Sequence, residues 1–161
     1  DNGGARFANQ GKLKGMKGSL YEGGIRVPAA VRWPSVTTPN TSTEQAVITM
    51  DWTKTILEAA NCIDSKRLDF DGINLKKYCK DPSKVDERTL FWRITNRKQE
   101  FAVRRGTYKY LRNKDGEFLY EVQNDISEKM DLKTTEPNIL KELKLEGESL
   151  NNTILNPQEN K

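Results

Sequence analysis

Residues 14–34 read KGMKGSLYEGGIRVPAAVRWP, and this stretch decides the fold. Glycines at 15, 18, 23 and 24 let a loop turn sharply or bring its backbone close to a ligand. From Ile25 to Trp33 the residues Val27, Ala29, Val31 and Trp33 alternate with Arg26, Ala30 and Arg32, which is strand periodicity ended by Pro34. Pro28 confines such a strand to an edge or to its first turn. Lys12, Lys14 and Lys17 sit in or beside the loop, with Arg6, Arg26 and Arg32 nearby and only Asp1 and Glu22 opposing them. The N-terminal segment is therefore an electropositive face. Glu22 and Arg26, four residues apart at the strand entry, read as an ion pair that shapes the loop.

Outward from this loop, residues 35–43 are rich in Ser, Thr, Pro and Asn and read as surface loop. A helix follows over 50–62: Thr49 is placed to cap it, Asp51 lies in its first turn, and Trp52, Ile56, Ala59, Ala60 and Ile63 recur at helical spacing. Asp71-Gly72 turns into a short apolar anchor, and the charged connector around Asp81-Pro82 suggests a division into residues 1–85 and 86–161. Beyond it four short strands are expected, over 89–95, 101–105, 107–112 and 118–122. Asn113-Lys114-Asp115-Gly116 supplies the last hairpin turn. Tyr108 and Tyr110 share one side of this antiparallel meander and Phe118, Tyr120 and Val122 the other. Ile139, Leu140, Leu143 and Leu150 predict a terminal helix over the sheet, with Thr135 as its cap and Pro137 in its first turn; residues 156–161 read as a frayed tail.

Composition narrows the chemistry. With 161 residues, 31% charged and 35% hydrophobic, the chain is polar but has enough apolar residues for a folded core. It contains no histidine, so a Ser-His or Cys-His triad cannot be assembled from these residues alone. Cys62 and Cys79 are too far apart for a CxxC site and, without histidine, make no standard zinc centre. No run approaches the roughly 18 apolar residues of a membrane helix. Trp33, Trp92, Tyr108 and Tyr110 fall in strand patterns that suit packing better than base stacking, so no nucleic-acid partner is expected. The chain opens on the polar turn Asp1-Asn2-Gly3-Gly4 without an initiator Met and reads as the later portion of a longer protein. Such a portion is expected to leave a sheet face or edge open to self-association.

Asp1 and Asn2 offer hard oxygen donors of the kind calcium or magnesium prefers, although Asp-Asn-Gly-Gly by itself is more often a simple turn. Taken with Lys14 to Pro28 and its Glu-Gly-Gly-x-Arg-x-Pro ending, this turn closely resembles the later half of a sulfatase of the arylsulfatase or N-acetylgalactosamine-6-sulfatase type. Arg32-Trp33-Pro34, Asp51, Asp71-Gly72, Ala102-Val103-Arg104 with Tyr108-Lys109, and Leu119-Tyr120-Glu121 leading to Asn124-Asp125 extend the resemblance over nearly the whole chain.

The resemblance implies part of an α/β, alkaline-phosphatase-like sulfatase fold. The closing strand and helix of the large α/β domain would occupy residues 1–85, and a small antiparallel sheet with a C-terminal helix residues 86–161. It implies that Asp1 and Asn2 help ligate Ca2+, that Lys17 contacts the sulfate as a catalytic and substrate-binding residue, and that the other metal ligands and a formylglycine nucleophile lie upstream. Lys14, with Lys12, is a candidate for a second anionic group on the substrate, or else part of a solubilising loop. Sulfated carbohydrates or aryl sulfates are the implied substrates, and a periplasmic or extracellular setting is weakly favoured. Two departures stand out. Asp51-Trp52-Thr53-Lys54-Thr55 lacks the family's proline before the last threonine, and neither Cys62 nor Cys79 lies in the Cys/Ser-x-Pro-x-Arg motif that yields formylglycine. Two other readings remain: a related metal-dependent phosphoesterase, and a non-catalytic module binding polyanions through the basic N-terminal face.

Overall fold

The computed structural model describes residues 2–62, 69–94 and 99–155. They fall into two compact units, Asp1–Pro28 with Arg88–Lys161, and Ala29–Glu87. The N-terminal loop thus packs with the C-terminal sheet, across the division near residue 85 that composition suggests.

In the first unit, β1 (Thr89–Arg93), β2 (Phe101–Arg105), β3 (Tyr108–Asn113) and β4 (Gly116–Glu121) form an antiparallel sheet in sequential order. The register sets Val103 opposite Tyr110 and Tyr110 opposite Leu119, while Ala102 pairs with Leu111 and Leu111 with Phe118. Because side chains alternate between faces along each strand, these two rows open on opposite sides of the sheet. Phe101, Val103, Tyr110 and Leu119 pack against Leu143, Ile139 and Leu140 of α4 (Pro137–Leu155). Ala102, Leu111, Tyr120 and Val122 pack against Leu20, with Tyr21, Ile25, Trp92 and Phe118 around them. The sheet is covered by a helix on one face and by the glycine-rich loop on the other, so neither face is open, and β1 and β4 form its two edges.

Helix α4 carries Gly147 where the helix meets the sheet. A Cβ there would lie 2.5 Å from Phe101 Cε2 and 2.6 Å from Val103 Cγ2, so only glycine allows this approach. Arg105 reaches Glu142 and Glu146, Arg112 reaches Glu148, and Lys144 reaches Glu117, tying the helix rim to the strands.

The strand expected over residues 25–33 does not form. Glu22–Ile25 make a single helical turn, α1, and residues 26–33 join no ladder. Alternation specifies which face a strand would bury, but a strand also needs a neighbour with free backbone groups, and the ladders described here run only among β1 to β4.

In the second unit, α2 (Thr49–Ala59) starts one residue earlier than a Thr49 cap would give. Ile48 is the N-cap residue, and its N–H donates to Asp51 Oδ2 at 2.8 Å. Asp51 Oδ1 also accepts the N–H of Ile73 at 2.9 Å, and Thr55 Oγ1 accepts that of Leu75 at 2.8 Å. Two polar side chains buried in α2 thereby hold the segment that leads into α3 (Lys76–Lys80). Cys62 and Cys79 both carry free thiols. Ile63, the last apolar position of the expected helix pattern, Thr95 at the end of the first expected strand, and the tail 156–161 lie outside the described residues.

Candidate functional site

Three backbone segments meet at the glycine-rich loop. The N–H of Gly3 donates to Gly24 O at 2.9 Å, that of Lys17 to Gly4 O at 2.9 Å, and that of Gly23 to Lys14 O at 2.7 Å. A Cβ on Gly3 would sit 1.9 Å from Gly23 O, so the N-terminal turn lies directly on the Gly23-Gly24 backbone. This stitching joins the Asn2-Gly3 turn and the Lys17 corner in one backbone cluster, the two features that sequence alone pairs.

Lys17 is exposed at the corner, and Gly18 at φ +88° carries the chain around it. Among the described residues no carboxylate pairs with its ammonium. Asn2 is exposed as well, and Asp1 lies outside the described residues. No group of three or more His, Cys, Asp or Glu among the described residues could hold a metal ion. Calcium takes six to eight oxygens, and the described residues do not make a complete calcium site.

Lys14 is placed differently from Lys17. Its ammonium lies 4.3 Å from the Tyr21 ring centroid and 5.3 Å from that of Tyr120, and it donates to the Glu128 carbonyl at 3.2 Å and to Tyr120 Oη at 3.4 Å. These contacts turn Lys14 toward the sheet and employ its charge in holding the loop. Burial pushes the Tyr120 phenol above its ordinary range, with Tyr21 and Glu128 adding to the effect, so its hydroxyl stays protonated beside Lys14. Lys12 instead borders an open cleft of about 660 Å³ shared with Gly11, Asn124, Asp125, Ser127 and Lys129.

Beneath the loop lies a buried charge cluster. Lys109 Nζ, fully buried on β3, donates to Glu22 Oε1 at 2.8 Å and to Glu128 Oε1 at 2.9 Å. Glu128 Oε2 accepts the N–H of Glu22 at 2.7 Å. The expected Glu22 to Arg26 pair is present at 3.4 Å, with Arg26 partly in solvent. Burial raises the Glu22 pKa, but the Lys109 ammonium, helped by Arg104 and Arg26, outweighs it and holds this carboxyl below its ordinary value of 4.5. Glu128 goes the other way, because burial outweighs the same ammonium and the Glu22 carboxylate adds repulsion. Sequence reading pairs Glu22 only with Arg26 and misses Lys109 and Glu128. The available signal is a lysine flanked on both sides by tyrosines, Tyr108 and Tyr110, in a strand, since a charge that becomes buried at such a position needs a partner.

Residues 16–153 match the family model described as N-sulphoglucosamine sulphohydrolase, C-terminal. A sulfatase from Formosa agariphila is 34% identical over 155 residues, covering 85% of this chain and 28% of the relative. The steryl-sulfatase of Rattus norvegicus is 39% identical over 59 residues, 37% of this chain and 10% of that protein. Among solved structures, Ps i-CgsB in complex with k-i-k-neocarrahexaose superposes with a TM-score of 0.78 at 28% identity, covering 93% of this chain and 34% of that one. The chain therefore spans about a third or less of the length of the relatives it matches.

Proposed function

This chain belongs to the sulfatase family, as part of its C-terminal region, and from that premise we propose that the full-length protein hydrolyses sulfate esters of carbohydrates, with Lys17 gripping the sulfate. The observation that carries this reading is the exposed Lys17 corner, tied by its own N–H to Gly4 O two residues from Asn2. The oligosaccharide bound in the complex of Ps i-CgsB supports a carbohydrate as the substrate class.

In this reading Lys17 donates a charge-assisted hydrogen bond to a sulfate oxygen and stabilises the negative charge that shifts over the group as the S–O bond to the alcohol breaks. Asp1 and Asn2 are the two oxygen donors this chain would add to a calcium site completed upstream. A formylglycine there would supply the nucleophile. Lys14 is proposed as a loop clamp in place of a substrate contact, since its ammonium is already engaged by two rings and a carbonyl.

The test is made on the full-length protein, with formylglycine sought by mass spectrometry and turnover measured on sulfated saccharides. Lys17→Ala is expected to lower kcat/KM by about ten- to a hundredfold, the value of one charge-assisted hydrogen bond. Unchanged turnover removes Lys17 from the site. A reading frame with no Cys/Ser-x-Pro-x-Arg upstream removes the proposed nucleophile.

A further inference from the structure

The loop that presents Lys17 is fastened at both ends to a single residue far along the chain. At its entry, the Lys14 ammonium donates to the backbone carbonyl of Glu128 at 3.2 Å. At its exit, the N–H of Glu22 donates to the Glu128 carboxylate at 2.7 Å, and Lys109 bridges the two carboxylates from below. The two ends also meet each other, through Gly23 N–H to Lys14 O at 2.7 Å. Residues 15–21, with Lys17 among them, are the arc between these fastenings.

Glu128 is unusual in its own backbone. It is fully buried and has φ +51°, a left-handed conformation that costs a non-glycine residue free energy and persists only where its surroundings impose it. The turn that imposes it is well bonded. Asp125 O accepts the Glu128 N–H at 3.0 Å, and Asp125 Oδ2 accepts those of Lys129 and Met130 at 2.7 and 2.8 Å. In this conformation the carbonyl of Glu128 meets one end of the loop and its carboxylate the other. Glycine would relieve the strain but would remove the second contact.

We infer that Glu128 is a positioning residue for the sulfate-contact loop, holding Lys14 at one end and Glu22 at the other with Lys109 beneath, so that the place of Lys17 is set from the loop-covered face of the sheet. The catalytic half of this inference rests on the sulfatase reading; the mechanical half does not. Both halves are tested in the full-length protein by hydrogen–deuterium exchange of the free enzyme together with turnover of sulfated saccharides.

Glu128→Gln removes one carboxylate acceptor, and Lys14→Met removes the other fastening at an exposed residue whose loss does not threaten folding. Each is expected to speed exchange of amides 15–21 by about tenfold or more, to leave β2 and β3 amides unchanged, and to lower kcat while KM moves less. Lys14→Arg, which keeps a cationic donor, is expected to restore slow exchange and turnover. Unchanged loop exchange in both variants overturns the inference, and so does an equal rise across β2 and β3, which would make Glu128 an ordinary core residue. A substrate contact through Lys14 predicts no change in the free enzyme. Wild-type protein that turns over no sulfate ester defeats the sulfatase reading while the exchange data still decide the positioning role.

Discussion

Glu22 and Glu128 share one ammonium yet respond to it in opposite directions, and this difference is measurable. Glu22 has a folded pKa below its ordinary 4.5, so it contributes stability above pH 4.5 that is lost as pH falls through the lower folded value. Glu128 has a folded pKa above 4.5, so folding takes up a proton there, and its contribution declines as pH rises from 4.5 through the raised value. Denaturant titrations across pH are expected to resolve both. The stability difference between wild type and Glu22→Gln should grow with rising pH below 4.5. The difference between wild type and Glu128→Gln should shrink with rising pH above 4.5 and then level off. Parallel curves for the two variants would show that the carboxylates titrate as equivalents. The asymmetry has a structural source, since Glu22 has Arg26 and Arg104 as further cations while Glu128 has Lys109 and the repulsive Glu22 carboxylate.

At the scale of elements, the sheet and its helix were legible because their signals are local. Alternation in 101–105 and 118–122 and the Asn113 to Gly116 turn describe strands whose ladder partners are adjacent in sequence, and the Ile139, Leu140, Leu143 spacing describes a helix whose backbone bonds are its own. The expected strand at 25–33 was a different kind of statement, because alternation names only one side of a ladder and among the described residues no strand pairs with it. Lys109 carried only a local hint, its flanking tyrosines, and Glu128 none, for a related reason: burial of a charge follows from what covers it, and the cover is a loop at the other end of the chain. Gly147 is an intermediate case. A glycine in mid-helix costs about 1 kcal/mol relative to alanine, and the cost is explained only by the Phe101 ring against it. Gly147→Ala is therefore expected to destabilise by about 1–3 kcal/mol despite its better helix propensity, because Phe101 is buried and cannot swing aside. A raised urea midpoint would show that the ring yields.

For the whole molecule, the matched family region, residues 16–153, takes in both compact units, yet the chain covers only 28% of the Formosa sulfatase. Its proposed share of the chemistry is one cation and two oxygen donors, and the motif around Lys17 was readable in sequence because Gly-x-Lys-Gly and Glu-Gly-Gly-x-Arg-x-Pro are contiguous. The fastening of that loop to the sheet also carries a consequence for how the chain reaches its native state. The hairpins β1 to β4 close between sequence neighbours, whereas Lys109 to Glu22 and Glu22 to Glu128 span 87 and 106 residues. Closing so long a span is entropically slow to be rewarded, so the loop should dock after the sheet's rate-limiting step. Stopped-flow measurements should then find that Glu22→Gln accelerates unfolding and leaves refolding nearly untouched, while Val103→Ala slows refolding. The loop that presents Lys17 would be the last part of this unit to assemble and the first to come away.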